Sequence, residues 1–174
     1  MNGKLLKLAA VISLGMFTIW TLAGCSKNNN TTSYQTDGTL TATIGGTAYS
    51  AKSYVIGAYF SSGGYFVVQG ESIGGGDTTG IQLTIPYNAP VNLAISVDSS
   101  VYQGFAGLTY IKGSSQYNAY YLDGASHGYI TLTTSDTVNH RIIGTFNGVL
   151  YNGTNSNDSV VITGGAFNST YQVQ

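Results

Sequence analysis

The sequence is poor in charge. Lysine and arginine together number 6 and aspartate and glutamate 7, so 7% of 174 residues are charged, against about 25% in an ordinary soluble domain. A net charge of -1 supplies no field for a polyanion, which argues against a nucleic-acid partner. Cysteine occurs once, at Cys25, so neither an internal disulfide nor a cysteine-rich zinc site can form. There are 2 prolines, 2 histidines and 1 tryptophan. What is plentiful is glycine, with 24 residues, and tyrosine, with 14, in a chain that is 43% hydrophobic. That is too apolar for a disordered acidic or basic tail, and the length suits one domain.

The opening segment reads as a targeting signal. Lys4 and Lys7 make a positive start, Leu8 to Ile19 is mostly apolar, and Leu22-Ala23-Gly24 lead to Cys25. The order is that of a secretory leader. The apolar stretch, interrupted by Thr18 and Thr21, is shorter than the roughly 20 residues a membrane helix needs. Its end resembles the lipobox of bacterial lipoproteins. The resemblance implies cleavage between Gly24 and Cys25, diacylglycerol on the Cys25 thiol and acylation of the new amino terminus. Two or more chains, at about 0.8 kcal/mol per buried CH₂, give stable anchoring. Residues 1–24 are therefore expected to be a signal peptide and residues 25–38 a lipidated cysteine with a flexible tether. Residues 39–174 are expected to be the folded domain. Trp20 would leave with the leader. The tether, Ser26 to Asp37, is polar without periodicity and would span roughly 20 Å as a coil.

The remainder alternates with the period of strands. Leu40, Ala42 and Ile44 share a face before Gly45-Gly46. Ile81, Leu83 and Ile85 repeat the pattern, and so do Val91, Leu93, Ile95 and Val97, with Pro86 and Pro90 bracketing the turn between. Tyr54 to Phe60 and Tyr65 to Gly70 flank Ser61-Ser62-Gly63-Gly64, a four-residue hairpin loop that would set Phe60 opposite Tyr65 and Gly57 opposite Val68. Both faces of this hairpin are apolar. Further strands are expected at Gly107–Ile111, Tyr117–Leu122, Gly128–Thr134, Arg141–Tyr151 and Ser159–Phe167. Ile142, Gly144, Phe146, Gly148 and Leu150 fall on one face, with the glycines as bends or as flat seats for cross-strand aromatics. The reading is all-β, an antiparallel meander forming a sandwich or flattened barrel.

Leu40 to Ala51, then Gly128-Tyr-Ile-Thr-Leu-Thr-Thr-Ser-Asp136, Ile142 to Phe146 and Val161 to Asn168 resemble, in order, a small lipoprotein family of Bacteroidota. That family is a domain of unknown function with a lipobox and an antiparallel β domain. Gly148 stands where its pattern has a second aromatic and Tyr49 where tryptophan is common. The resemblance implies location and fold and supplies no active residues.

Catalytic patterns are scarce. The aspartates neighbour Gly, Ser, Thr or Asn in expected turns, where their side chains bond local backbone. Glu71 is the lone glutamate, and a glycosidase needs two carboxylates about 5–9.5 Å apart. His127 and His140 flank the hairpin expected near Asp136-Thr137. His140 would lie opposite Thr133 or Thr134, and the two imidazoles would be roughly 20 Å apart, unable to share an ion. No phosphate-cradling loop or calcium loop occurs in the sequence. The expectation is a chain that is not an enzyme and has neither cofactor nor metal.

Tyrosine offers a flat apolar ring with a polar tip, suited to sugars and protein contacts. Tyr59, Tyr65, Tyr117, Tyr120 and Tyr121 group around two expected hairpins, and Tyr59, Tyr65 and Tyr120 are the candidate ligand-binding residues. The plainer reading is that tyrosine suits half-buried strands. Asp77-Thr78-Thr79, Asp136-Thr137-Val138 and Asp158-Ser159-Val160 resemble the short O-glycosylation acceptor of Bacteroidota, which makes Thr78, Thr137 and Ser159 candidate modification sites. The function expected is that of a lipid-anchored envelope protein, in the outer membrane, facing periplasm or surface. It would serve as a non-catalytic binding or accessory module for glycans or proteins, with the membrane as partner through its anchor. The alternatives are a lipocalin-like carrier of an apolar ligand and a structural or adhesive subunit.

Overall fold

The structure, a computed structural model, describes residues 38–58, 64–74, 77–97, 106–119, 121–122, 125–126 and 128–171. The proposed leader, the lipidation site Cys25 and most of the tether lie outside these residues, as do Tyr59, Tyr120 and His127.

The described residues form twelve strands. They are β1 (Gly38–Ile44), β2 (Thr47–Ala58), β3 (Tyr65–Gly74), β4 (Asp77–Pro86), β5 (Ala94–Ser96), β6 (Gly107–Lys112), β7 (Ser115–Asn118), β8 (Tyr121–Leu122), β9 (Ala125–Ser126), β10 (Gly128–Asp136), β11 (Arg141–Asn152) and β12 (Asn155–Thr170). Eight of them close into an antiparallel barrel in the order β1-β2-β3-β4-β6-β7-β11-β12, with β12 pairing back to β1. Two extra strands, β10 and then β5, extend from β11, and β8 pairs with β9 in a separate ribbon. The sandwich-or-barrel alternative resolves to a closed barrel. Closure leaves the eight barrel strands without a free edge.

Strand β11 makes this branching work. It pairs with β12 from Arg141 to Asn152, with β10 from Arg141 to Gly148, and with β7 only at Tyr151 and Asn152. The β7–β11 seam is therefore the shortest in the barrel.

Period-two patterning explains what fills the interior. Leu40, Val68, Leu83, Ile85, Leu132, Ile142 and Leu150 are fully buried, and Ile81, Leu108, Ile130, Phe146 and Ile162 nearly so. These residues belong to one core. An eight-strand barrel is just wide enough for side chains to fill. The face Ile142–Gly144–Phe146 is inward as expected, and the glycines seat aromatics. Gly144 pairs with Phe167 and Gly165 with Phe146. A Cβ on Gly144 would stand 2.5 and 2.7 Å from the Phe167 ring. Bare glycine lets the ring lie flat on the neighbouring backbone.

Several sequence expectations need correction. Val91 to Val97 is not one strand: Asn92 has φ 63° and only Ala94–Ser96 is extended. Val91 and Leu93 are exposed while Ile95 and Val97 are buried. The left-handed turn at Asn92 breaks the alternation that the residue types suggested. The β2–β3 register sets Ala58 opposite Tyr65 and Val55 opposite Val68, two residues from the expected pairing. The shift preserves which side chains face inward, so the hydrophobic pattern cannot distinguish the two registers. The expected Tyr117–Leu122 strand is interrupted at Ala119. His140 lies in the β10–β11 turn with φ 50°, and Asp136 faces Arg141, so His140 is not opposite Thr133 or Thr134. Strand β3 runs on past Gly70, which places Glu71 within it, opposite Lys52.

Candidate functional site

The two ends of the barrel differ. At one end four tight connections gather: those of β1–β2, β3–β4, β6–β7 and β11–β12. Gly45 and Gly46 supply φ 54° and 84° for the first and Gly113 supplies φ 57° for the third, the sign that two-residue hairpins demand. At the other end Phe66 packs against Tyr171 at 4.8 Å and against Tyr87 at 5.3 Å between ring centroids, and His140 stands 5.4 Å from Tyr171. Phe66 and Tyr171 are buried, so aromatics fill the barrel here. Strand β4 leaves from this end, and the segment after it runs to β5, where Asn92 N–H donates to the Leu132 carbonyl at 2.7 Å.

The hairpin end is open. It holds a mouth of about 470 Å³, lined by Ile44, Gly45, Thr47, Ala48, Tyr49, Ser50, Ser72, Thr79, Tyr110, Lys112, Tyr117, Ser159 and Val160. Tyr49, Tyr110 and Tyr117 come from β2, β6 and β7. The Tyr49 hydroxyl donates to the Gly70 carbonyl at 2.7 Å. Burial pushes its phenol well above the ordinary range, with the Glu71 carboxylate adding to the shift. Tyr110 and Tyr117 face each other across β6–β7 with centroids 5.9 Å apart and planes tilted by 34°. Burial also raises the Tyr110 phenol, with Tyr117 contributing.

Tyr117 is held by its tip. Its hydroxyl donates to Asp158 Oδ2 at 3.0 Å, and Asn152 Nδ2 donates to the same oxygen at 2.9 Å. That bond to Asp158 is the main reason the Tyr117 phenol is raised. The three groups join β7, β11 and β12 at the shortest seam. Asp158 thus does more than the local turn bonding expected of it. Asp136 does behave as a turn residue: its Oδ1 accepts from the N–H groups of Val138 and Asn139, both at 2.9 Å, and its Oδ2 from Asn139 Nδ2 at 2.7 Å. These donors, Asn139 N–H first, hold its carboxyl below the ordinary range.

The residues singled out from sequence are spread apart. Tyr65 is half-buried at the start of β3, at the filled end, roughly 20 Å along the strand from Ser72 at the mouth. It pairs with Ala58 and Pro86. Thr78 lies half-buried in β4, Thr137 is exposed in the β10–β11 turn, and Ser159 is exposed at the mouth. Ser159 alone of these reaches the site. Tyr49 and Tyr110 were missed. Their signal was alternation: Tyr49 precedes Ala51 and Ser53 on one face, and Tyr110 follows Leu108, so both point inward near a strand end. Among the described residues no group of three or more His, Cys, Asp or Glu could hold a metal ion. The arrangement offers aromatic rings, hydroxyls and one ammonium; it suits contact recognition.

No curated protein and no solved structure matches the chain. Residues 10–170 match a family described as a domain of unknown function, DUF5025, and since this spans most of the sequence the chain belongs to that family.

Proposed function

We propose that this is a lipid-anchored envelope protein, of the outer membrane, that acts as a non-catalytic binding or accessory module and recognises glycan or protein through the barrel mouth. The observation that carries the reading is the tyrosine collar, Tyr49, Tyr110 and Tyr117, set among hydroxyls at the open end. Tyrosines give rigid amphipathic contact at low entropic cost. The order Lys4, Lys7, apolar run and Leu22-Ala23-Gly24-Cys25 supports anchoring, and the shortage of charge favours neutral contact over electrostatic steering.

Two measurements test the reading. Intact-mass analysis of protein from membranes should show cleavage before Cys25 and added acyl mass, and Cys25→Ser should release the chain from the membrane fraction. The full-length protein in detergent should bind a subset of an envelope-glycan array, and Tyr117→Ala should weaken that binding. An unlipidated chain would overturn the anchor. Turnover of a glycan in a hydrolase screen, without stable binding, would overturn the binding module. A lipocalin-like carrier is the second reading, favoured by closure of eight strands; it predicts that an apolar fluorescent probe binds and is displaced by fatty acid.

A further inference from the structure

The lining of the mouth is lopsided in charge. Lys112 is the one charged residue of its lining among those described, and the Asp158 carboxylate is bonded to the lining residue Tyr117. Among the described residues no ion pair engages Lys112. On β6 it is two positions from Tyr110, on the same face of the strand, so its base lies roughly 7 Å from that ring's base toward the solvent. Around this pair stand Thr79, Ser72 and Ser159, which donate and accept. Tyr117 is half-exposed, and its hydroxyl is committed to Asp158, so its ring is already oriented before a ligand arrives. Preorganisation of this kind lowers the cost of binding.

A ligand matching these features has an apolar ring face, many hydroxyls and one anionic group a ring's length away. We propose that the mouth binds the end of an acidic saccharide, a chain carrying a uronic-acid carboxylate. The sugar face lies on Tyr117, the carboxylate meets the Lys112 ammonium, and the ring hydroxyls meet Ser72, Thr79 and Ser159. Asp158 and Asn152 are positioning residues, since they hold Tyr117 and need not touch the sugar. The inference rests on the reading of the mouth as a binding site and narrows its ligand.

The test is calorimetry on the full-length protein in detergent, with an oligogalacturonide against the matching neutral oligogalactoside. The acidic chain should bind about tenfold more tightly, the scale of a charge-assisted hydrogen bond. Added salt should reduce that preference. Lys112→Met should abolish the preference; being an exposed strand-end residue, it should leave the thermal transition unchanged. Asp158→Asn should weaken both sugars alike. Equal affinity for the two sugars, or a preference that survives Lys112→Met, overturns the acidic-ligand inference while leaving the mouth a binding site. Binding of neither sugar overturns the inference, and the wider reading then falls too if the glycan array is also blank.

Discussion

Phe146 covers Gly165 on the neighbouring strand. The two are register partners, and a Cβ on Gly165 would meet the Phe146 carbonyl oxygen and stand 2.6 Å from ring atoms Cδ2 and Cε2. Gly165→Ala should therefore destabilise the barrel by about 1–3 kcal/mol through overpacking. Chemical denaturation would measure it. The cost should shrink only in part in a Phe146→Leu background, because the ring contact is lost while the contact with the carbonyl stays. Additive losses would show that the ring does not impose the glycine.

Gly38 occupies a second such position. It lies between Ser53 and Ser169, whose hydroxyls bond to each other and are both buried. An added Cβ would meet the Ser53 hydroxyl and stand 2.7 Å from Ser169 Oγ. Gly38→Ala should cost about 1–3 kcal/mol, read as a lowered thermal midpoint. Ser53→Ala combined with Gly38→Ala should recover part of the loss, since the obstructing hydroxyl is gone.

Tyr49 predicts an alkaline limb. Its buried phenol is raised above the ordinary value of 10.0, so the folded state holds this proton longer than the unfolded chain. The stability it confers is complete below the unfolded value, near pH 10, and is lost as pH rises from there through the folded value. Tyr49→Phe should remove that part of the dependence. It should also cost roughly 1 kcal/mol at neutral pH for the lost bond to Gly70. Denaturation curves in alkaline buffer would check both.

Asp136 predicts the opposite limb. Three bonds from Val138 and Asn139 stabilise its charged form, and its carboxyl is lowered from 3.8. Its contribution is present above the unfolded value and fades as pH falls through the folded one. NMR titration should find this carboxyl among the most acidic aspartates. Asp136→Asn should flatten the local shift changes of Val138 and Asn139 N–H in acid.

Much of the fold was legible because strand patterning is local. Leu40-Ala42-Ile44 and Ile81-Leu83-Ile85 alternate within a few residues, and burial follows that alternation once a core exists. The glycines beside Phe146 were readable as bends or as flat seats, and the pairing of Gly144 with Phe167 decides for the seat. Register was not: moving β2 against β3 by two residues keeps every side chain on its face, so the pairing of Ala58 with Tyr65 depends on the whole connection. Asn92 could not be read either, because a left-handed residue inside an alternating run leaves no periodic trace.

By itself the sequence determined the class of structure. Scarce charge, abundant glycine and tyrosine, and period-two runs admit an all-β domain, and a single cysteine behind an apolar leader carries the anchoring proposal. Only the tertiary structure decided that the sheet closes, since β1 meets β12 through pairs such as Leu40 with Phe167, far apart along the chain. It alone decided which tyrosines meet. Tyr49, Tyr110 and Tyr117 are scattered in sequence and share one mouth because eight staggered strands bring their ends around a common axis. Closure and stagger are properties of the whole ring of strands, and no local pattern carries them.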